Sequence, residues 1–121
     1  APKPAWVDAQ RLRQADREPG NWMSHGRTYG EQRYSPLDRI NAGNVGRLGV
    51  AWTHKLDWDF GVEATPIVVD GVMYTTGPYS IVYALDAATG KLLWRHDPGV
   101  PRDKGGEGCC SVVSGTGRKG P

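Results

Sequence analysis

Cys109 and Cys110 stand side by side, and adjacency limits what the two sulfurs can do. Bridged to each other they would close a strained eight-membered ring, a geometry that marks a special site. Unbridged they are free thiols, the default in a cytosolic chain. As half of a zinc site they lack the two-residue spacer that such sites use. On the residues alone all three readings stay open. Glu63 is a second candidate, a lone carboxylate directly before Ala64-Thr65-Pro66 and an apolar run. By itself such a residue is a solvated side chain at a strand start. His25 could serve as a base, but no second His or carboxylate lies at a recognisable spacing, so it reads as a loop histidine held by local hydrogen bonds. Two nucleotide-like patterns fail on context. Gly115-Thr116-Gly117-Arg118-Lys119-Gly120 fits G-x-G-x-x-G, but no helix follows to receive a phosphate. Thr89-Gly90-Lys91 has Leu85 where a P-loop needs its first glycine, so it is a turn.

The elements that must position these residues are strands. Residues 65–69 (TPIVV) are β-branched, and Asp70-Gly71 is the strongest hairpin signal in the chain. Residues 72–76 (VMYTT) return, Gly77-Pro78 breaks, and 81–85 (IVYAL) form a third strand. After the turn 86–90, residues 92–96 (LLWRH) form the fourth. The result is one antiparallel meander with two apolar faces, and both faces need cover. Radial packing of such sheets in a propeller meets that need. Residues 49–56 (GVAWTHKL) read as a preceding strand, with Val50, Trp52 and His54 on one side. Its partners are expected beyond Pro121.

Upstream, 8–18 (DAQRLRQADRE) reads as a surface helix capped by Asp8 and ended by Pro19-Gly20, with Leu12 its one large apolar residue. Residues 21–36 have no period, and Trp22, Tyr29 and Tyr34 are expected to anchor them as an ordered loop. Ser35-Pro36-Leu37-Asp38 looks like a helix start, and Asn41 like the opening of a short turn. Residues 99–121 read as loop. Three parts follow: a helix-and-loop lead-in over 1–48, a strand plus one blade over 49–98, and a loop with the cysteines over 99–121.

At 121 residues the chain has room for one domain. Seventeen Gly and nine Pro suit short strands with many turns. Fifteen basic against thirteen acidic residues, concentrated on no one face, give no nucleic-acid signature. No apolar run approaches the ~20 residues that cross a bilayer. The start, Ala1 to Trp6, lacks the apolar segment of a signal peptide and an initiator Met, which reads as a processed or excerpted chain.

The run Ala84-x-Asp86-x-x-Thr89-Gly90-Lys91-x-x-Trp94 resembles the tryptophan-docking motif of the quinoprotein propellers. Tyr29 to Leu37, Ile40-Asn41-Ala42, Asn44-Val45, Leu48 to Trp52 and Glu63 to Gly71 resemble the start of alcohol dehydrogenases that depend on pyrroloquinoline quinone (PQQ). The resemblance implies an all-β fold, an eight-bladed β-propeller of which the lead-in and about one blade are present. It implies that Glu63 contacts the edge of PQQ. It also implies that Cys109 and Cys110 form a disulfide whose ring packs on the cofactor, and that Trp94 stacks on the next blade as core. The implied cofactors are PQQ, Ca²⁺ or a lanthanide, and haem c in a further domain. The implied reaction is hydride transfer from a small alcohol to PQQ, with a c-type cytochrome or quinone as electron acceptor, in the periplasm. Metal ligands and a catalytic base are expected to lie outside this chain, as are the missing blades, so these residues alone should be inert.

The pattern departs after the cysteines. The family carries Asp-x-Val-Asn-Arg there, and this chain has Ser111, Val112, Val113, Ser114 and Gly115. Arg118 comes three residues late and inherits no role. Two alternatives share the docking motif. A non-enzymatic propeller scaffold needs neither Glu63 nor the cysteine pair, and a PQQ-dependent sugar dehydrogenase typically lacks the adjacent cysteines.

Overall fold

The computed structural model describes residues 5–57 and 62–103. Its centre is a four-stranded antiparallel sheet of β1 (Ile67–Val69), β2 (Val72–Thr76), β3 (Val82–Asp86) and β4 (Leu92–His96), in the order β1-β2-β3-β4. The meander therefore matches the strands expected from alternation and turn chemistry. Asp70 (φ 51°) and Gly71 (φ 81°) both take the left-handed conformation that a tight two-residue hairpin requires. The register sets Ile67, Tyr74, Ala84 and Trp94 opposite one another in a single row. The neighbouring row pairs Thr75, Tyr83 and Arg95, whose side chains take the other face. A register shift between Ala84 and Leu85 leaves Leu93 unpaired in β4.

Each face takes its cover from a different upstream segment. Tyr79, Ile81, Tyr83 and Leu85 form one buried cluster, against which Trp52, Leu56, Met73 and Val100 pack. On the other side Val69 joins Ala15 and Met23, with Val7, Leu12, Ile67 and Tyr74 around them. Trp22 closes the free edge of β1. Its N–H donates to the Val68 carbonyl at 2.8 Å, and Val68 N–H returns the bond at 2.9 Å.

Several local expectations change. The helix expected over 8–18 is α1 (Ala9–Arg13), capped by the Asp8 carboxylate as anticipated, then a 3₁₀ turn over Ala15–Arg17. Five helical residues with Leu12 as the one large apolar side chain cannot sustain a longer isolated helix. No helix starts at Ser35, whose hydroxyl accepts from Leu37 N–H at 3.3 Å. Leu37 and Ile40 are exposed there, so a helix would have no apolar face to bury. Asn41 does open a turn, leading into the 3₁₀ segment Val45–Arg47. Tyr29 and Tyr34 are exposed and anchor nothing; buried Arg27, ion-paired to Asp16, roots that loop instead. Residues 49–56 form no strand. Trp52 and His54 turn inward as the pattern required, joined by Leu56, but Val50 is exposed, and the segment crosses the face of the sheet with no ladder partner among the described residues. Alternation reports one-sided burial, and burial does not need a strand partner.

Arg11 clamps the lead-in to the first hairpin. Its guanidinium donates to Glu18 at 2.7 Å and to Asp70 at 2.6 Å, while Asn21 accepts from Asp70 N–H at 2.9 Å. These bonds to Arg11 are the main cause that holds the Glu18 and Asp70 carboxyls below their usual range. Stabilisation of that sign is present above the unfolded carboxyl values and is lost as pH falls through the depressed folded ones. Acidification below about pH 4 should therefore release the lead-in, with amide exchange at Trp22 and Val68 rising ahead of that in β2 and β3. Protection at Trp22 and Val68 that falls only together with the whole sheet would contradict this.

Candidate functional site

An antiparallel meander places the start of β1, the end of β2, the start of β3 and the end of β4 at one pole. The turns at Asp70-Gly71 and at 87–90 lie at the other. Glu63 is at the first pole and the docking turn at the second.

At the first pole Glu63 is exposed, and its carboxylate has no hydrogen bond or ion pair among the described residues. Beside it runs a groove of about 160 Å³ lined by Ala64, Thr65, Ile67, Tyr74, Thr76 and Val82. Polar contacts flank the Glu63 segment in sequence on both sides. On the upstream side the Asp57 carboxylate accepts from Tyr83 O–H at 2.8 Å and Arg95 Nε at 2.6 Å. The Tyr83 hydroxyl first, then Arg95, holds Asp57 below the usual carboxylate range. Burial is the main cause that pushes the Tyr83 phenol up. On the downstream side Arg33 donates to the Thr65 hydroxyl at 3.2 Å. The chain leaves this pole through Asp97, which accepts from Arg102 at 2.8 Å, and Arg102 lies 4.1 Å above the Tyr79 ring. Cys109 and Cys110 lie outside the described residues. His25 is a hydrogen-bonded loop histidine, as anticipated, 2.8 Å from Arg33.

A free carboxylate at a strand end suits a cofactor that presents a polar hydrogen at its edge, because an ionised carboxylate only accepts. The fit therefore rests on Glu63. The groove itself is lined mainly by apolar side chains.

At the second pole the motif residues build a locked turn. Asp86 Oδ1 accepts from Ala88 N–H at 3.0 Å, and from Thr89 N–H and Oγ1 at 2.9 Å each. These bonds, the Thr89 hydroxyl first, hold the Asp86 carboxyl below its usual range. Asp86 N–H closes on the Lys91 carbonyl at 2.8 Å, and Gly90 takes φ 73°. Trp52 lies flush on that turn. A Cβ at Gly90 would meet its ring at 2.5 Å, and its indole N–H donates to the Ala87 carbonyl at 3.1 Å. Ala84 is fully buried, whereas Trp94 stacks on Tyr74 at 5.9 Å and remains 41% exposed. Among the described residues nothing covers the outer side of Trp94, the side expected to pack on a following blade. Sequence reasoning missed Trp52 as the residue seated on the motif, although its place in the alternating stretch marked it as buried. It also missed Arg33, Tyr83 and Asp57, which pair across distances no local pattern reports.

A four-stranded meander with a locked Asp-Thr-Gly turn is the unit that a β-propeller repeats around its axis. The family model for the PQQ glucose/ethanol/alcohol dehydrogenase β-propeller domain matches residues 22–118, and the chain belongs to that family. It is 65% identical over 111 residues to the quinohemoprotein alcohol dehydrogenase ADH-IIG of Pseudomonas putida, covering 92% of this chain and 16% of the relative. The solved structure of that relative superposes with a TM-score of 0.88, over 93% of this chain and 16% of the other. A 1-butanol dehydrogenase (cytochrome c) of Thauera butanivorans is 54% identical over 78% of this chain and 14% of the relative. A europium-containing methanol dehydrogenase matches at TM-score 0.75 and 35% identity, over 86% of this chain and 19% of its own. The chain thus spans less than a fifth of the length of each.

The two tryptophans should respond differently to truncation. Trp52→Ala is expected to cost about 3 kcal/mol in a urea unfolding series, and Trp94→Ala about 1 kcal/mol. Gly90→Ala should match Trp52→Ala, because it meets both the left-handed backbone and the ring. Equal losses for Trp52→Ala and Trp94→Ala would refute this assignment.

Proposed function

We propose that these residues form the first blade, and one rim of the PQQ site, of a longer PQQ-dependent alcohol dehydrogenase. The observation that carries the reading is the Glu63 carboxylate, without a partner among the described residues, at one pole of the sheet in a chain 65% identical over 111 residues to a quinohemoprotein alcohol dehydrogenase. Bound PQQ supplies the two-electron acceptor for oxidation of an alcohol to an aldehyde or ketone. This chain would contribute Glu63 as an acceptor at the cofactor edge, and a disulfide of Cys109 and Cys110 against its face. A small alcohol as substrate follows from the relatives' names, and a c-type cytochrome as electron acceptor from the 1-butanol enzyme. A metal beside the cofactor, Ca²⁺ or a lanthanide, draws support from the europium-containing neighbour. A haem c domain and a periplasmic location belong to the same proposal. Trp94 and the groove would meet the following blade.

The test has two parts. The coding sequence past Pro121 should continue through further docking motifs. In that longer enzyme Glu63→Gln should weaken PQQ binding about tenfold, read by quenching of tryptophan fluorescence. The 121 residues alone should reduce no dye in the presence of PQQ, metal and alcohol. Unchanged PQQ affinity in the Glu63 variant would remove this residue from the site.

A further inference from the structure

Arg33 has no place in the reading above, yet its backbone and its side chain are both held. The loop that carries it is rooted by Arg27, buried and ion-paired to Asp16. Arg27 (φ 73°), Glu31 (φ 53°) and Arg33 (φ 52°) all take the left-handed conformation, which non-glycine residues rarely adopt. Gly26 is obligatory here, because a Cβ would collide with Glu31, and its carbonyl accepts from Arg33 N–H at 3.1 Å. Strain of this kind persists only where the surroundings impose it, and it gathers at functional sites. Its result here is a fixed guanidinium. One nitrogen lies 2.8 Å from His25 Nε2 and the other donates to the Thr65 hydroxyl at 3.2 Å. Arginine can only donate, so His25 Nε2 accepts. The His25 carbonyl is in turn held by the Trp22 indole N–H at 3.2 Å.

Thr65 is two residues past Glu63, and the next residue, Pro66, has no N–H for a backbone bond. The approach to β1 therefore depends on side chains for its placement. We propose that Arg33, steadied by His25, is a positioning residue that fixes the Thr65 shoulder and thereby the direction in which Glu63 is presented. The inference rests on the reading of Glu63 as a PQQ contact. It adds that the lead-in loop, remote in sequence, sets the cofactor edge.

The test uses the complete enzyme with four variants: Arg33→Gln, Thr65→Val, His25→Leu and His25→Gln. Each is measured for amide exchange over 62–66 and for PQQ affinity. Arg33→Gln and Thr65→Val break the same bond from opposite sides. Each should speed exchange over 62–66 severalfold and weaken PQQ about fivefold, with exchange in β2 and β3 unchanged. His25→Leu should follow them, while His25→Gln, which keeps an acceptor, should stay near wild type. Glu63→Gln serves as the control for the underlying reading. If it weakens PQQ while Arg33→Gln and Thr65→Val do not, the positioning role is overturned and the cofactor reading stands. Faster exchange with unchanged PQQ affinity also overturns it, since the anchor would then be structural only. If Glu63→Gln has no effect on affinity, the cofactor reading itself fails. If Arg33→Gln does not fold, Thr65→Val carries the comparison.

Discussion

The seat of Trp52 on the turn at Gly90 is the contact on which the rest of this blade depends. The indole fits because Gly90 has no Cβ, and it is oriented because its N–H finds the Ala87 carbonyl at 3.1 Å. That turn is held by Asp86 with three bonds from Ala88 and Thr89, so the ring lands on a rigid platform. Placing Trp52 there draws the extended segment across the sheet, where Leu56 joins the cluster around Tyr83 and Leu85. The same path brings Asp57 to Tyr83 and Arg95 at the far pole. A single packing contact at one end thus delivers the anchor for the Glu63 segment at the other.

A division of labour between the poles follows. The turn pole carries short, locally closed bonds around Asp86, joined by reaches from upstream: Arg11 and Asn21 to Asp70, and the Trp52 indole to Ala87. The Glu63 pole is assembled from pieces far apart in the chain: Arg33 on Thr65, Asp57 on Tyr83 and Arg95, and Arg102 over Tyr79. Side chains from separate segments converge where a cofactor edge would be met, and the strained backbone at Tyr79 and Ser80 (φ 60° and 59°) lies at this pole as well.

Among the described residues each face of the sheet is only half covered. Trp94 is stacked on one side only, and the groove by Ile67, Tyr74 and Val82 is open. The chain belongs to a family of propellers and spans less than a fifth of its relatives, and the proposed following blade would cover both.

What sequence alone determined here is whatever local chemistry enforces. The four strands, the Asp70-Gly71 hairpin, the Asp8 cap and the Asp86-Thr89-Gly90 turn could be read directly, because alternation, left-handed residues and short side-chain bonds act within a few positions. The family was legible because the docking turn occurs together with the runs at 29–37, 40–52 and 63–71, each a contiguous stretch of sequence. Three misreadings share a cause. Residues 49–56 alternate like a strand but lie across a face, Ser35 caps nothing because no apolar side follows, and Tyr29 and Tyr34 stay in water. Each depended on what the segment would meet, which no window of sequence contains. Only the tertiary structure decided that Trp52 sits on Gly90, that Arg33 reaches Thr65, and that Glu63 stands at the opposite pole from the motif that identifies the blade. Those are contacts between distant residues, set by how the sheet's two faces are covered.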